Sequence, residues 1–293
     1  MWMDTHLKGT RAAWPDTPRI EFVGGEVPRV RVTPADSDEP ERVDIYYCLD
    51  PDWPTGRFWR TVADVRREGD GFVGDAPFFS QSDLLCAFAN VTDKSGIRIS
   101  SRLAKQPAAS IPGARPTLQR QSMIDEMDSA AAWNWVPAPT DPTRESGTFF
   151  AEWRGAAGER GFTLDPQMFP REGPMGFYFG TRKIGDPQFR GTGHAVLLID
   201  CLADHVPERL VIHLRARAPG TTGLEYEGTL IDALAATEPR GAWRTLRLEP
   251  SQFKTKQGEQ LPGWDHVEFF ILDGTNPAQK PPVFKRLRWE DAR

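Results

Sequence analysis

The sequence predicts a mainly β protein of two β-sandwich domains, the first immunoglobulin-like and the second jelly-roll or galactose-binding-like, with a short N-terminal helix. Three observations lead there. Apolar and polar residues alternate at period two over many short segments, as the pleat of a strand requires. Glycine and proline number 26 each among 293 residues, a density of turn formers that suits short strands and disfavours long helical bundles. The proline-bearing stretch KQPAASIPGARP at 105–116 divides the strand-forming segments into two groups. The expected organisation is a terminal helix and lead-in over 1–18, an immunoglobulin-like sandwich over 19–105, a linker and connecting segment over 106–147, and a jelly-roll-like domain over 148–293.

Along the chain, Trp2, Met3 and Leu7 are spaced to share one helical face, with Gly9 as a stop. So short a helix is marginal alone in water, so Trp2 and Leu7 are expected to contact a surface of this chain or of a partner. In VDIYYCL, Val43, Ile45, Tyr47 and Leu49 face one way and Asp44, Tyr46 and Cys48 the other. PRVRV, DLLCAFANV and GIRISSRL repeat the rhythm, with DPDWPTG and TDKSG as turns. Arg57 and Arg60 are placed to brace the first of these turns through Asp50 or Asp52. The prolines after Lys105 each remove a ladder donor, hence the linker. Ile124 and Met127 suggest a short helix by their spacing. In RLVIHLRARA, Leu210, Ile212, Leu214 and Ala216 form a core face, and Arg209, Val211, His213 and Arg215 a solvent face. AVLLI is apolar throughout, which predicts a strand covered on both sides.

Lysine plus arginine total 36 against 41 acidic residues, a net charge of −5, which argues against nucleic acid as a partner. No run approaches the roughly 20 apolar residues of a membrane span, and the first residues carry no apolar signal core, although a signal would precede Met1 if the chain were a fragment. Cys48, Cys86 and Cys201 form neither a redox pair nor a disulfide framework. The motifs G-x-S-x-G, H-E-x-x-H, G-x-x-x-x-G-K-[ST] and G-x-G-x-x-G are absent, so catalysis within this chain is not expected. His194, His205, His213 and His266 match no short zinc spacing, and no cofactor is implied. A structural calcium ion suits the turn residues Asp165, Asp186, Asp273 and Asn276, without a complete ligand set. Glu225 and Glu227 share a strand face and offer two carboxylates to a sugar, though solvated charge is the simpler account.

The ten tryptophans raise carbohydrate binding, since sugar rings present apolar faces to aromatic rings while their hydroxyls need polar partners. Trp133, Trp135 and Trp153 are the candidate platform, with Trp264, Arg286 and Arg288 as additions. Core packing is the simpler role for each tryptophan.

The segment WMDTHLKG at 2–9 resembles the last helix of the hydrolase domain in bacterial α/β-hydrolase-related proteins of the PhoPQ-activated-pathogenicity-related and dienelactone-hydrolase-like groups. VDIYYCLDPDWPTGRFWR at 43–60 resembles the start of their attached immunoglobulin-like sandwich. LDPQMF, DPQFRGTG, WRTLRLEPSQF and FKRLRW look like a carbohydrate-binding-type jelly roll. The resemblance spans nearly the whole chain and implies its noncatalytic C-terminal portion, because no serine, acid or histidine of a hydrolase triad has a counterpart. The expected function is a noncatalytic accessory or carbohydrate-binding protein, with a carbohydrate or a hydrolase domain or subunit as partner. The alternative is a carbohydrate-active hydrolase using acidic residues assembled between strands.

Overall fold

A computed structural model describes residues 16–35, 40–49, 57–130, 132–135, 150–165, 174–193, 195–205, 209–217, 223–229, 242–277 and 281–290. The expected contacts of Trp2 and Leu7 lie outside these residues, as do Asp50 and Asp52. The described chain is built of β-strands and short 3-10 turns, with no α-helix among them. It forms two compact units, 1–119 and 120–293.

In the first unit the strands are β1 (Arg19–Val23), β2 (Arg29–Thr33), β3 (Arg42–Leu49), β4 (Arg60–Thr61), β5 (Arg66–Glu68), β6 (Gly71–Asp75), β7 (Leu84–Thr92), β8 (Arg98–Ser100) and β9 (Ala104–Pro107). They make two antiparallel sheets, β1-β2-β6-β5 and β4-β3-β7-β8, with β9 also on β7. Val30 and Val32 from one sheet meet Ile45, Tyr47, Leu49, Leu85 and Ala87 from the other in a single core around Phe78. The alternation in VDIYYCL thus turns its apolar side inward. Of the stretch expected to be a linker, the proline-bearing part up to residue 119 belongs to this unit and the remainder to the second. Ala104–Pro107 is an edge strand, where a proline costs no interior ladder bond. Beyond it the Arg115 N–H donates to the Glu26 carbonyl, and those of Thr117 and Leu118 donate to the Phe78 carbonyl.

The second unit contains β10 (Met123–Asp125), β11 (Asn134–Trp135), β12 (Phe150–Arg154), β13 (Arg160–Leu164), β14 (Pro174–Thr181) and β15 (Val196–Leu202). It continues with β16 (Arg209–Ala216), β17 (Leu224–Thr229), β18 (Trp243–Leu248), β19 (Val267–Pro277) and β20 (Val283–Glu290). One sheet runs β12-β13-β20-β15-β18 with β10 beside β20, and the other runs β11-β14-β19-β16-β17. Phe162 and Phe284 from the first meet Phe179 from the second at tilted and edge-to-face angles, and Trp133 lies against Phe162, Phe179 and Phe270. Side chains of both inner faces interdigitate in this way in a β-sandwich of jelly-roll type. The helix expected around Ile124 and Met127 is replaced by β10 followed by a left-handed residue, Met127 at φ 57°. Both side chains are fully buried, and that burial outweighs their helical spacing.

Candidate functional site

The outer face of the β14 sheet gathers the polar chemistry of the second unit. On β16, Leu210, Ile212 and Leu214 are buried toward the core, so Arg209, Val211, His213 and Arg215 face away from it. On β19, Phe270 and Leu272 go inward and Phe269, Ile271 and Asp273 go outward, while β14 contributes Tyr178. The register aligns these residues in rows: Tyr178 with Asp273 and Val211, Ile271 with His213 and Glu227, and Phe269 with Arg215 and Glu225. An outward strand face is ordinarily wet. Here Val211, Ile271 and Phe269 are 2%, 0% and 2% exposed, an apolar floor beneath longer polar side chains.

His213 is the hub of those side chains. Its Nε2 is 3.1 Å from Asp273 Oδ2, and its Nδ1 is 3.4 Å from Glu225 Oε1 and 3.9 Å from Glu227 Oε2. The Tyr178 ring centroid is 5.8 Å away. Arg209 reaches both Asp273 oxygens at 3.5 Å, and Arg215 Nε is 3.6 Å from Glu225. The Arg182 guanidinium lies 4.2 Å from the Phe269 ring centroid. Burial, reinforced by the charge of Glu225, raises the Tyr178 hydroxyl above its ordinary pKa, so the phenol keeps its proton as a donor. The face therefore offers donors and acceptors side by side above an apolar floor. That combination orients a polyhydroxylated ligand and limits the cost of desolvating it.

At the end of this sheet, burial raises the Glu268 carboxyl above its ordinary value of 4.5 despite the opposing charges of Arg217, Arg182 and Arg190. In the window from 4.5 up to the raised value the folded protein holds more protons than the unfolded chain, so stability falls as pH rises through that range. Glu268→Gln is expected to flatten this slope in urea titrations run at successive pH values. An unchanged slope would remove Glu268 as its source.

The residues expected to bind sugar fall in different places. Trp133 and Trp264 are core residues, 2% and 1% exposed. The Trp133 indole faces Asp125 Oδ1 at 3.3 Å, and the Trp264 indole donates to the Ala195 carbonyl at 2.8 Å. Neither can form a platform. Trp135 occupies β11, and its side chain lies outside the described residues. Trp153, Arg286 and Arg288 belong to the outer face of the opposite sheet. His194 is likewise outside the described residues, and His205 Nδ1 sits 2.8 Å from the Pro281 carbonyl. Arg57 and Arg60 lie over aromatic rings, Arg57 on Trp59 and Arg60 on Tyr47 and Phe58. Among the described residues no cluster of three or more His, Cys, Asp or Glu side chains could hold a metal ion. Of the proposed calcium ligands, Asp186 caps the Gln188 N–H and Asp273 is engaged by His213. The grouping of Tyr178 and Asp273 with His213 was not anticipated, because it needs the β14-β19-β16 strand order. A groove of about 750 Å³ bordered by Val196, Glu249, Ser251, Gln260 and Leu261 has no aromatic residue among the described residues lining it.

No family model matches the chain, and no curated protein does. Among solved structures it is similar to a family 11 carbohydrate-binding module from Clostridium thermocellum in complex with a β-1,3-1,4-mixed-linked tetrasaccharide. The two are 11% identical with a TM-score of 0.36, over 60% of this chain and 98% of that one. It is also similar to SGBP-B from a complex xyloglucan utilization locus in Bacteroides uniformis, 11% identical with a TM-score of 0.27 over 96% of this chain and 100% of that one. An engineered GH43 glycoside hydrolase with endo-xylanase and exo-arabinofuranosidase activity is 12% identical, with a TM-score of 0.27 over 94% of this chain and 64% of that one. Scores this low transfer neither residues nor ligands. The expected kinship with α/β-hydrolase-related proteins is corrected here: no α-helix occurs among the described residues, and no family model of that kind matches the chain. What the chain shows is a mainly β fold of several sheets, of the β-sandwich and jelly-roll kind.

Proposed function

We propose that this is a noncatalytic carbohydrate-binding protein whose second unit, a galactose-binding-like jelly roll, lays a glycan across the outer face of β14, β19, β16 and β17. The first unit is an immunoglobulin-like companion, and a hydrolase carried elsewhere is the partner such a binder would serve. The observation that carries the reading is the cluster of Tyr178, Asp273, His213, Glu227 and Glu225 above the sealed floor of Val211, Ile271 and Phe269. Asp273 engages His213 Nε2 and Arg209, while His213 Nδ1 is buried with no hydrogen-bond partner of its own. A sugar hydroxyl placed there would satisfy a group that the face itself leaves unpaired.

A screen of neutral β-glucans, xylans and xyloglucans against the full chain tests this. At least one is expected to bind, with Tyr178→Ala and Asp273→Asn each weakening it about tenfold, the effect of one lost stacking or charge-assisted contact. Failure of every glycan to bind the folded chain would overturn the reading. The same mixtures are assayed for released reducing ends, because Glu225 and Glu227 lie together beside His213. Hydrolysis by the purified chain that vanished in Glu225→Gln or Glu227→Gln would establish the catalytic alternative instead.

A further inference from the structure

The outer face of the β15 sheet holds a second cluster, independent of the one above. Asp200 on β15 is 1% exposed. Its Oδ1 accepts a hydrogen bond from Thr245 Oγ1 at 2.7 Å, and its Oδ2 accepts one from Arg286 Nε at 2.8 Å. Arg286 Nη2 and Arg288 Nη1 lie 2.7 and 3.1 Å from the same Oδ2. One buried carboxylate thus holds two guanidinium groups, and the Arg286 side chain remains 45% exposed.

Lys285 pairs with Asp200 in register, and its ammonium sits 3.8 Å from the Trp243 ring centroid. Trp153 meets Trp243 edge to face at 5.6 Å. Gly161, opposite Trp153 in the register, clears the space beneath this pair, since an added Cβ would lie 3.2 Å from Trp243 Cη2. The result is an aromatic corner with a cation on one wall and two pinned arginines beside it.

The backbone is bent to produce this arrangement. The β15–β20 register shifts between Leu198 and Asp200, and Arg286 takes φ 49°, a left-handed conformation that an L-residue adopts at a cost. Bulges of this kind re-aim side chains, and here the re-aimed residue is the arginine held by Asp200. The charges do not balance. Lys285, Arg286 and Arg288 face Asp200, with Glu159 the other carboxylate whose charge reaches Lys285. Burial, and next the charge of Arg286, holds the Lys285 ammonium below its ordinary pKa, as expected where positive charge is in excess. Arg247, farther along the face, is already neutralised by Glu290 at 2.6 Å.

We propose that this face is a second saccharide site, selective for sugars bearing an oxyanion, either a ring carboxylate or a sulfate ester. The pyranose ring packs in the corner of Trp153 and Trp243. The oxyanion meets Lys285 and the guanidinium N–H groups of Arg286 and Arg288 that Asp200 leaves unused. Pinning by Asp200 pre-organises those donors, so less side-chain freedom is lost on binding. The negative net charge of the whole chain makes the preference local to this face and not a general attraction for polyanions.

The test is affinity electrophoresis and calorimetry of the full chain with polygalacturonate, a sulfated galactan, an unsubstituted β-glucan and poly-L-glutamate. Either anionic glycan is expected to bind, the identity of the one that does naming the oxyanion. Lys285→Glu and Trp153→Ala, at residues that make no hydrogen bond or ion pair with Asp200, are each expected to weaken that binding about tenfold or more. Tyr178→Ala, on the opposite face, should leave it unchanged, which separates this site from the neutral-glycan reading. Lys285→Gln serves in place of Lys285→Glu if the reversed charge lowers the unfolding midpoint. Three results would overturn the proposal: neither anionic glycan binds the folded chain, poly-L-glutamate binds as tightly as they do, or both Lys285 and Trp153 variants retain full affinity.

Discussion

Trp264→Ala is expected to destabilise the second unit by about 3–5 kcal/mol, the usual cost of removing a buried tryptophan. Three losses combine. The indole is 1% exposed and packs against Phe253 at 6.0 Å and Trp289 at 5.1 Å between ring centroids, so its removal leaves a cavity bordered by aromatic rings that cannot collapse far. The Ala195 carbonyl also loses its 2.8 Å donor. The Trp289 indole, which donates to the Phe189 carbonyl at 2.6 Å, loses the neighbour that holds it against that acceptor. Six of the ten tryptophans lie in 120–293, so urea unfolding followed by indole fluorescence reports mainly on this unit. A loss below about 1 kcal/mol would place Trp264 among surface substitutions and return it to the candidates for ligand contact. Trp264→Phe, which keeps the apolar contact and deletes the donor, should lie between the wild type and the alanine variant.

The period-two rhythm made the sandwich faces of VDIYYCL and RLVIHLRA legible, because burial on one side of a strand acts on every second residue. What it could not convey is which outward faces stay dry. The alternation places Val211 toward solvent, yet it is 2% exposed, and the strands paired on either side of it, β17 and β19, are set there by the sheet order. The tryptophans failed for the converse reason. An indole suits a core and a sugar platform equally well, and only topology separates Trp133, among Phe162, Phe179 and Phe270, from Trp153 on an outer face. Proline content misled at 104–118, where the prolines permit an edge strand and its return along the first unit. One signal was present and went unread. Asp200 is the acid in VLLIDCL, a strand buried at every position. A carboxylate there demands cations, and KRLR at 285–288 supplies them.

The second large effect follows from that demand. Removing both arginines, as Arg286→Ala with Arg288→Ala, is expected to cost about 3–5 kcal/mol, because Asp200 would stay buried without the cations bonded to it. The converse substitution is expected to cost less. Asp200→Asn keeps an acceptor for Thr245 Oγ1, and it releases guanidinium groups that are 45% and 23% exposed and can turn to water, so the charge left behind is not trapped. The order of the two stability losses, measured by urea unfolding at neutral pH, is therefore diagnostic. If Asp200→Asn costs as much as the double arginine variant, the arginines are not the solvated partners of a sealed acid. The backbone adds a finer distinction at Arg286, whose φ is 49°. Glycine adopts that conformation without the Cβ penalty, so Arg286→Gly should be less damaging than Arg286→Ala by about 1 kcal/mol, even though both delete the same ion pair. Equal losses would mean that the bulge relaxes once the guanidinium is gone. In that case it is the bond to Asp200 that holds the left-handed turn, and with it the pinned arginines that the anionic-saccharide site requires.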